Sequence, residues 1–285
     1  MQTRRRVLAG TVGLAFTSGA AAARPDDFDA LVSQLESNPD ETATAQAEKE
    51  SSEVEFGLRN DEAHTRAFRA FAPRLEPSLK KISPAAIRLI VACEVSGARA
   101  YERLYQKPVW PGARSGVTIG VGYDLGFIKP EWLHEDWDGI AGVDARAIAA
   151  LVKACRLRGD DAKAFCQRAR DVVVPWSAAQ LQFQSKLLPR YTAETILALP
   201  AADRLPDDCL GALVSLVYNR GPSFHASGPR YREMRNIYSA LKSNNLPAIP
   251  VALESMTRLW PKLPGLVTRR RAEAALFRRG MGVKT

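Results

Sequence analysis

From Ala67 to Phe277 apolar residues recur at helical spacing in one segment after another, and a single short stretch breaks the rhythm: "GVTIGVGYDLG", residues 116 to 126. Its β-branched Val117 and Ile119 favour extended backbone, while Gly120 and Gly122 permit a bend or a close approach. This pattern predicts an α+β fold, mostly helical, with one small antiparallel β element after the first helix of the domain. Turn and cap residues mark the helices. In "SPAAIRLIVACEVSG" Ser83 is the expected N-cap, Pro84 suits the first helical position, and Gly97 is the stop. "DARAIAALVKACR" and "DDAKAFCQRAR" suit helices, and Ser177 with Gln180 predicts a capping-box start in "WSAAQLQFQSKLL". "PDDCLGALVSLVYNRG" has Pro and Asp in front and Gly221 behind. "RYREMRNIYSALKSNN" and "GLVTRRRAEAALFRRG" complete the set.

Residues 1 to 23 have a basic head, an apolar middle from Val7 to about Phe16, and small residues ending in Ala21-x-Ala23. That is the anatomy of an export signal, and Thr3-Arg4-Arg5-Arg6-Val7-Leu8 looks like the twin-arginine variety. The expected location is therefore periplasmic or secreted. No other apolar run is long enough to span a bilayer, so stable membrane insertion of the mature protein is not expected.

Residues 24 to 67 carry 12 acidic against four basic residues and few aromatics, which reads as a flexible or partly helical acidic linker. The domain from 68 to 285 is the reverse, with 33 basic and 19 acidic residues, a net of +14. An exported basic domain suits an anionic partner: nucleic acid, an anionic membrane surface or the cell-wall polymer. Export and the lack of a nucleic-acid-binding motif argue against the first.

Four cysteines without C-x-x-C spacing and three scattered histidines predict no zinc site, and no cofactor motif is present. Cys155 and Cys166 could pair if their segments form a helical hairpin; buried free thiols are the other reading.

Glu94 is the first candidate for chemistry. With Ile87, Ile90 and Val91 it follows the i, i+3, i+4, i+7 rule, so a carboxylate stands at the edge of a core. Desolvation there would help it hold a proton, as a general acid must; a glutamate paired with an arginine is the competing reading. If the glycine-rich ribbon folds back over the end of that helix, Asp124 could face Glu94 across a cleft, with Thr118 between them. Two carboxylates flanking a groove can cleave a glycosidic bond, although Asp124 also suits a simple turn. Tyr123, Trp110 and Tyr101 could stack on sugar rings or pack in the core. Asn219 could bond an acetamido group or cap its helix. Arg269 to Arg271 could grip anionic peptides or form a solvated face answered by Glu273.

Four elements, Glu94 at a helix end, Thr118-Ile119-Gly120-Val121-Gly122, Tyr218-Asn219-Arg220-Gly221, and Gly265-Leu266 through Arg269-Arg270, Glu273 and Phe277, stand in an order that resembles the phage-type lysozymes. The closest pattern is that of pesticin-like lysozyme toxins, whose aspartate follows the threonine by six residues, as Asp124 follows Thr118. In the phage-type pattern the second acid lies nine positions after the glutamate and six before the threonine, where this chain has Arg103 and Gly112. Glu102, a near neighbour, is the rival to Asp124. The resemblance implies a lysozyme-like fold and a muramidase cleaving the β-1,4 bond between N-acetylmuramic acid and N-acetylglucosamine in peptidoglycan. Glu94 would be the acid, with Asp124 and Thr118 activating water. Alternatives are a lytic transglycosylase, a hydrolase of another polysaccharide, or a non-catalytic cell-wall-binding module.

Overall fold

The computed structural model describes residues 24, 27–41, 74–112 and 114–282. The export signal and most of the acidic tract lie outside the described residues. What is described is mostly helical with one two-stranded antiparallel sheet, an α+β arrangement.

Helix α1 (Phe28–Ser37) comes first, where the sequence suggested the start of a linker. It is docked: Phe28, Val32 and Leu35, one helical stripe, are buried against two later helices, α2 (Pro84–Val95) and α12 (Pro264–Gly280). Each such side chain contributes about 1.5–3 kcal/mol of transfer free energy. Arg88 of α2 clamps the outer side, bonding Glu36 at 2.9 and 2.8 Å and Asp29 at 2.8 Å.

Helix α2 is capped as its sequence predicts, Ser83 Oγ accepting from the Ala86 N–H at 3.1 Å with Pro84 in the first turn. It ends at Val95, and Ser96 rather than Gly97 takes the first left-handed position, with φ of 54°. A short helix α3 (Ala98–Leu104) follows, then strands β1 (Thr118–Ile119) and β2 (Tyr123–Asp124). Beyond the ribbon come α4 (Pro130–Trp137), α5 (Ala145–Val152), α6 (Asp160–Arg168), α7 (Trp176–Gln182) and α8 (Leu188–Ala198). A π-turn over Phe183–Leu187 joins the last two. Helix α7 starts on Pro175 with no side-chain cap, so Ser177 lies inside the helix and the expected capping box with Gln180 does not form.

The centre of the molecule is α9 (Asp207–Arg220), buried along almost its whole length between α2, α8 and α12. Gly211 lets α2 come close: a Cβ there would lie 2.2 Å from the Ala86 Cβ. Glycine costs about 1 kcal/mol in a helix relative to alanine, and here the return is backbone-level contact between two core helices. Helix α11 (Ala248–Ser255) packs against α12, and α10 (Arg232–Lys242) packs against α11. All four cysteines are free thiols, Cys93 and Cys209 in the core and Cys155 and Cys166 half-buried. No described helix is long and apolar enough to cross a membrane.

Candidate active site

Glu94 is the penultimate residue of α2 and lies on the half-buried stripe with Ile87 and Val91, whereas Ala86, Leu89, Ile90 and Cys93 face the core. Its side chain is 11% exposed and its Oε1 accepts a 2.7 Å charged hydrogen bond from Arg269 Nη1. The core-edge placement and the arginine pairing, two competing readings of the sequence, are thus both realised in one residue.

Arg269 is itself fixed from three sides. Its Nη2 donates to the Ser215 carbonyl at 2.8 Å and to Ser215 Oγ at 3.2 Å, and its Nε reaches Glu273 Oε1 at 3.3 Å. Glu273 Oε1 also accepts from Arg270 Nη2 at 2.9 Å and from Ser215 Oγ at 2.7 Å. Burial opposes the charge on Arg269, but Cys93, Glu94 and Glu273 outweigh it and raise the guanidinium above the usual arginine range. Arg270, where burial dominates, is pushed down to about 10. Neither arginine is available to grip a peptide; Arg269 and Arg270 are core residues, 3% and 0% exposed, and not a solvated face.

The ribbon folds back over this carboxylate. Gly122, at φ of 73°, passes so close that a Cβ would stand 3.3 Å from Glu94 Oε2 and 3.3 Å from Tyr218 Oη. Tyr218 also donates its hydroxyl proton to the Val121 carbonyl, which pins the turn. Burial first, then Glu94 and Tyr191, push the Tyr218 phenol well above its ordinary value, so it remains a donor. Glu94 therefore has one oxygen anchored on Arg269 and the other under the glycine turn.

One rung beyond the turn, Thr118 pairs with Asp124 and Ile119 with Tyr123. Cross-strand partners share a face, so Thr118 and Asp124 stand abreast on one side of the ribbon and Ile119 and Tyr123 on the other. Thr118 is also paired through its backbone with Val109, at 3.0 and 2.8 Å. Asp124 carries the turn role as well: Oδ1 accepts from the Gly126 N–H at 2.8 Å and Oδ2 from the Gly116 N–H at 3.4 Å, capping the 3-10 turn over Leu125–Phe127.

Tyr123 does not belong to a sugar-stacking surface. It is 1% exposed, donates to Asp136 Oδ2 at 2.7 Å and meets Trp137 edge-on at 5.7 Å. Tyr101 is likewise buried, its hydroxyl donating to the Val174 carbonyl at 2.9 Å. Asn219 is drawn beneath the ionic cluster, its Oδ1 accepting from Arg270 Nη2 at 3.3 Å, instead of standing open at the helix end. Trp110 is half-buried beside the Val109–Thr118 pairing, with Lys163 Nζ 5.3 Å from its ring centroid. Glu102 is exposed on α3. Among the described residues no group of three His, Cys, Asp or Glu side chains is placed to hold a metal ion.

The residues that sequence reasoning passed over are Tyr218, as the clasp of the turn, and Ser215 with Arg269, as the mount for Glu94. A signal for the second existed: Leu266, Arg269, Glu273 and Leu276 stand at i, i+3, i+7 and i+10, so the two charges share one helical stripe with two leucines.

A family model described as a domain of unknown function (DUF8812) matches residues 91–191, roughly a third of the chain. The matched stretch holds Glu94 and the whole ribbon, while Tyr218 and Arg269 lie beyond it. No curated protein matches the chain.

Proposed function

We propose that this chain is a lysozyme-like peptidoglycan hydrolase, a muramidase, acting outside the cytoplasm after export. One observation carries the reading. Four sequence elements separated by up to 175 positions meet on a single carboxylate: Glu94 itself, the turn of the T-I-G-x-G ribbon at Gly122, the tyrosine of Y-N-x-G, and the first arginine of R-R-x-x-E.

In this mechanism Arg269 holds Oε1 in place, so Glu94 meets a sugar with Oε2, the oxygen under the turn, from which a proton passes to the leaving glycosidic oxygen. Thr118 and Asp124, abreast on the ribbon, orient the water that attacks the sugar. The basic character of residues 68 to 285 draws the anionic wall polymer toward the cleft.

A second reading is favoured by the two backbone hydrogen bonds that Asp124 already accepts. A lytic transglycosylase uses one acid and positions no water, so Asp124 would be a turn residue only and the product would be a 1,6-anhydro sugar. Digestion of purified peptidoglycan by the mature protein, followed by mass spectrometry, separates the readings. Reducing muramic ends with loss of activity in Asp124→Asn support hydrolysis, and anhydro ends with an active Asp124→Asn support transglycosylation. Intact polymer overturns both and leaves a wall-binding module, and full activity in Glu94→Gln overturns the role given to Glu94.

A further inference from the structure

The loop between α5 and α6 is stitched to the ribbon. The Arg156 N–H donates to the Leu125 carbonyl at 2.8 Å, the Gly159 N–H donates to the Ser115 carbonyl at 3.0 Å, and Arg158 pairs in a β-bridge with Gly116. Residues 153 to 170 carry six basic side chains (Lys153, Arg156, Arg158, Lys163, Arg168 and Arg170) against two acidic ones, Asp160 and Asp161. A charge run of this kind is ordinarily a solvated face, and two of its members are placed otherwise.

Arg158 lies beside Asp124. A Cβ on Gly126 would touch Arg158 Cγ at 2.8 Å and Asp124 Oδ1 at 3.0 Å, so the arginine stem and the carboxylate converge on one glycine. The Arg158 guanidinium rests 4.7 Å from the Phe127 ring centroid. Lys163 rests on Trp110, next in the chain to the Val109 that pairs with Thr118. Stacking on a ring fixes where each cation sits while leaving its charge to solvent. Both residues are exposed, and among the described residues neither has a carboxylate partner. The Trp110 indole N–H is a third donor there, buried and unpartnered among the described residues.

We infer that Arg158 and Lys163, with the Trp110 indole N–H, form a carboxylate-binding edge beside the ribbon that takes the anionic stem peptide on the muramic sugar of the glycan. This rests on the peptidoglycan reading and deepens it. Peptide recognition falls to the α5–α6 loop and the start of α6, while Arg269 and Arg270 are core residues. Carboxylates are favoured over nucleic acid because two single cations on separate rings, Phe127 and Trp110, suit discrete carboxylates better than a continuous phosphate backbone.

The test is pull-down on beads carrying either sonicated peptidoglycan with its stem peptides or the glycan strands that an amidase frees of them, using the full mature chain in a Glu94→Gln background so that the polymer survives. Each exposed charge contact is worth up to roughly fivefold in affinity, so Arg158→Ala/Lys163→Ala should bind the peptide-bearing polymer roughly twentyfold more weakly. It should bind stripped glycan as the parent does, and Arg158→Lys should recover its share. Equal loss on both polymers, or no loss on the peptide-bearing one, overturns the assignment, as does loss of DNA binding with peptidoglycan binding unchanged. The pull-down reads binding without turnover, so an absence of cleavage by wild type would count against the muramidase and not against this edge.

Discussion

Arg269→Met removes the mount of Glu94 and one of the two arginines that answer Glu273. Breaking a buried pair from one side costs about 3–5 kcal/mol, because the remaining charge stays desolvated. The structure places this case at the lower end. Glu94, at 11% exposure, can recover some hydration, and Glu273 keeps Arg270 at 2.9 Å and Ser215 at 2.7 Å. The expected loss is therefore about 3 kcal/mol, or roughly 6–12 °C in Tm for a domain of this size. Glu94→Gln should cost less, about 1–2 kcal/mol, because its amide oxygen can still accept from Arg269 while Glu273 answers the charge. In the double variant the Glu94 charge and its partner leave together, so its loss should fall short of the sum of the singles by about 1–2 kcal/mol. Urea unfolding followed by circular dichroism, with m-values compared across the four proteins, measures all three quantities. A loss below about 1 kcal/mol for Arg269→Met, or strict additivity in the cycle, would refute the claim that this arginine holds Glu94 in place.

Gly122→Ala puts a methyl group 3.3 Å from Glu94 Oε2 at a φ of 73°, so about 1–2 kcal/mol of stability and most of the activity on peptidoglycan should be lost together. Gly139→Ala, at φ of 78° with nothing within 4 Å of the added Cβ, carries similar backbone strain and should leave activity intact, as turnover of folded protein will show. At the acid end, burial tends to raise the Asp136 carboxyl, but hydrogen bonds from Arg74 and Arg190 prevail and hold it below the ordinary aspartate value. A depressed carboxyl stabilises the fold above its unfolded value and loses that contribution as pH falls through the folded one. Urea midpoints taken from pH 6 downward should therefore decline below about pH 4, and Asp136→Asn should flatten that decline while lowering the plateau.

Much of this fold could be read from spacing and punctuation. Ser83-Pro84 set the start of α2, the helical stripe put Glu94 at a core edge, and the glycines of the ribbon marked a close approach, now seen as the Gly122 turn over Glu94 Oε2. Helix α1 was hidden by its acidic surroundings, although Phe28, Val32 and Leu35 already stood at i, i+4 and i+7. The α5–α6 edge was hidden for a different reason. Local sequence gives a run of cations, and only the tertiary pairing of Arg158 with Gly116 and the stacking of Lys163 on Trp110 bring two of them to the ribbon.

Tyr123 shows how far strand periodicity could have gone. Val117 and Ile119 mark one ribbon face as apolar, and a tight hairpin pairs Ile119 with Tyr123, so Tyr123 follows them inward and its neighbour Asp124 must turn outward beside Thr118. The structure then shows what holds Tyr123 there. Asp136, fully buried on α4, accepts its hydroxyl at 2.7 Å and is itself held by Arg74 and Arg190. A carboxylate with these partners is locked in place, and a one-residue slip of β2 would place Asp124 inside against it, two negative charges in the core. The register that presents Asp124 is thus enforced by electrostatics beneath the ribbon as well as by the glycine turn above Glu94.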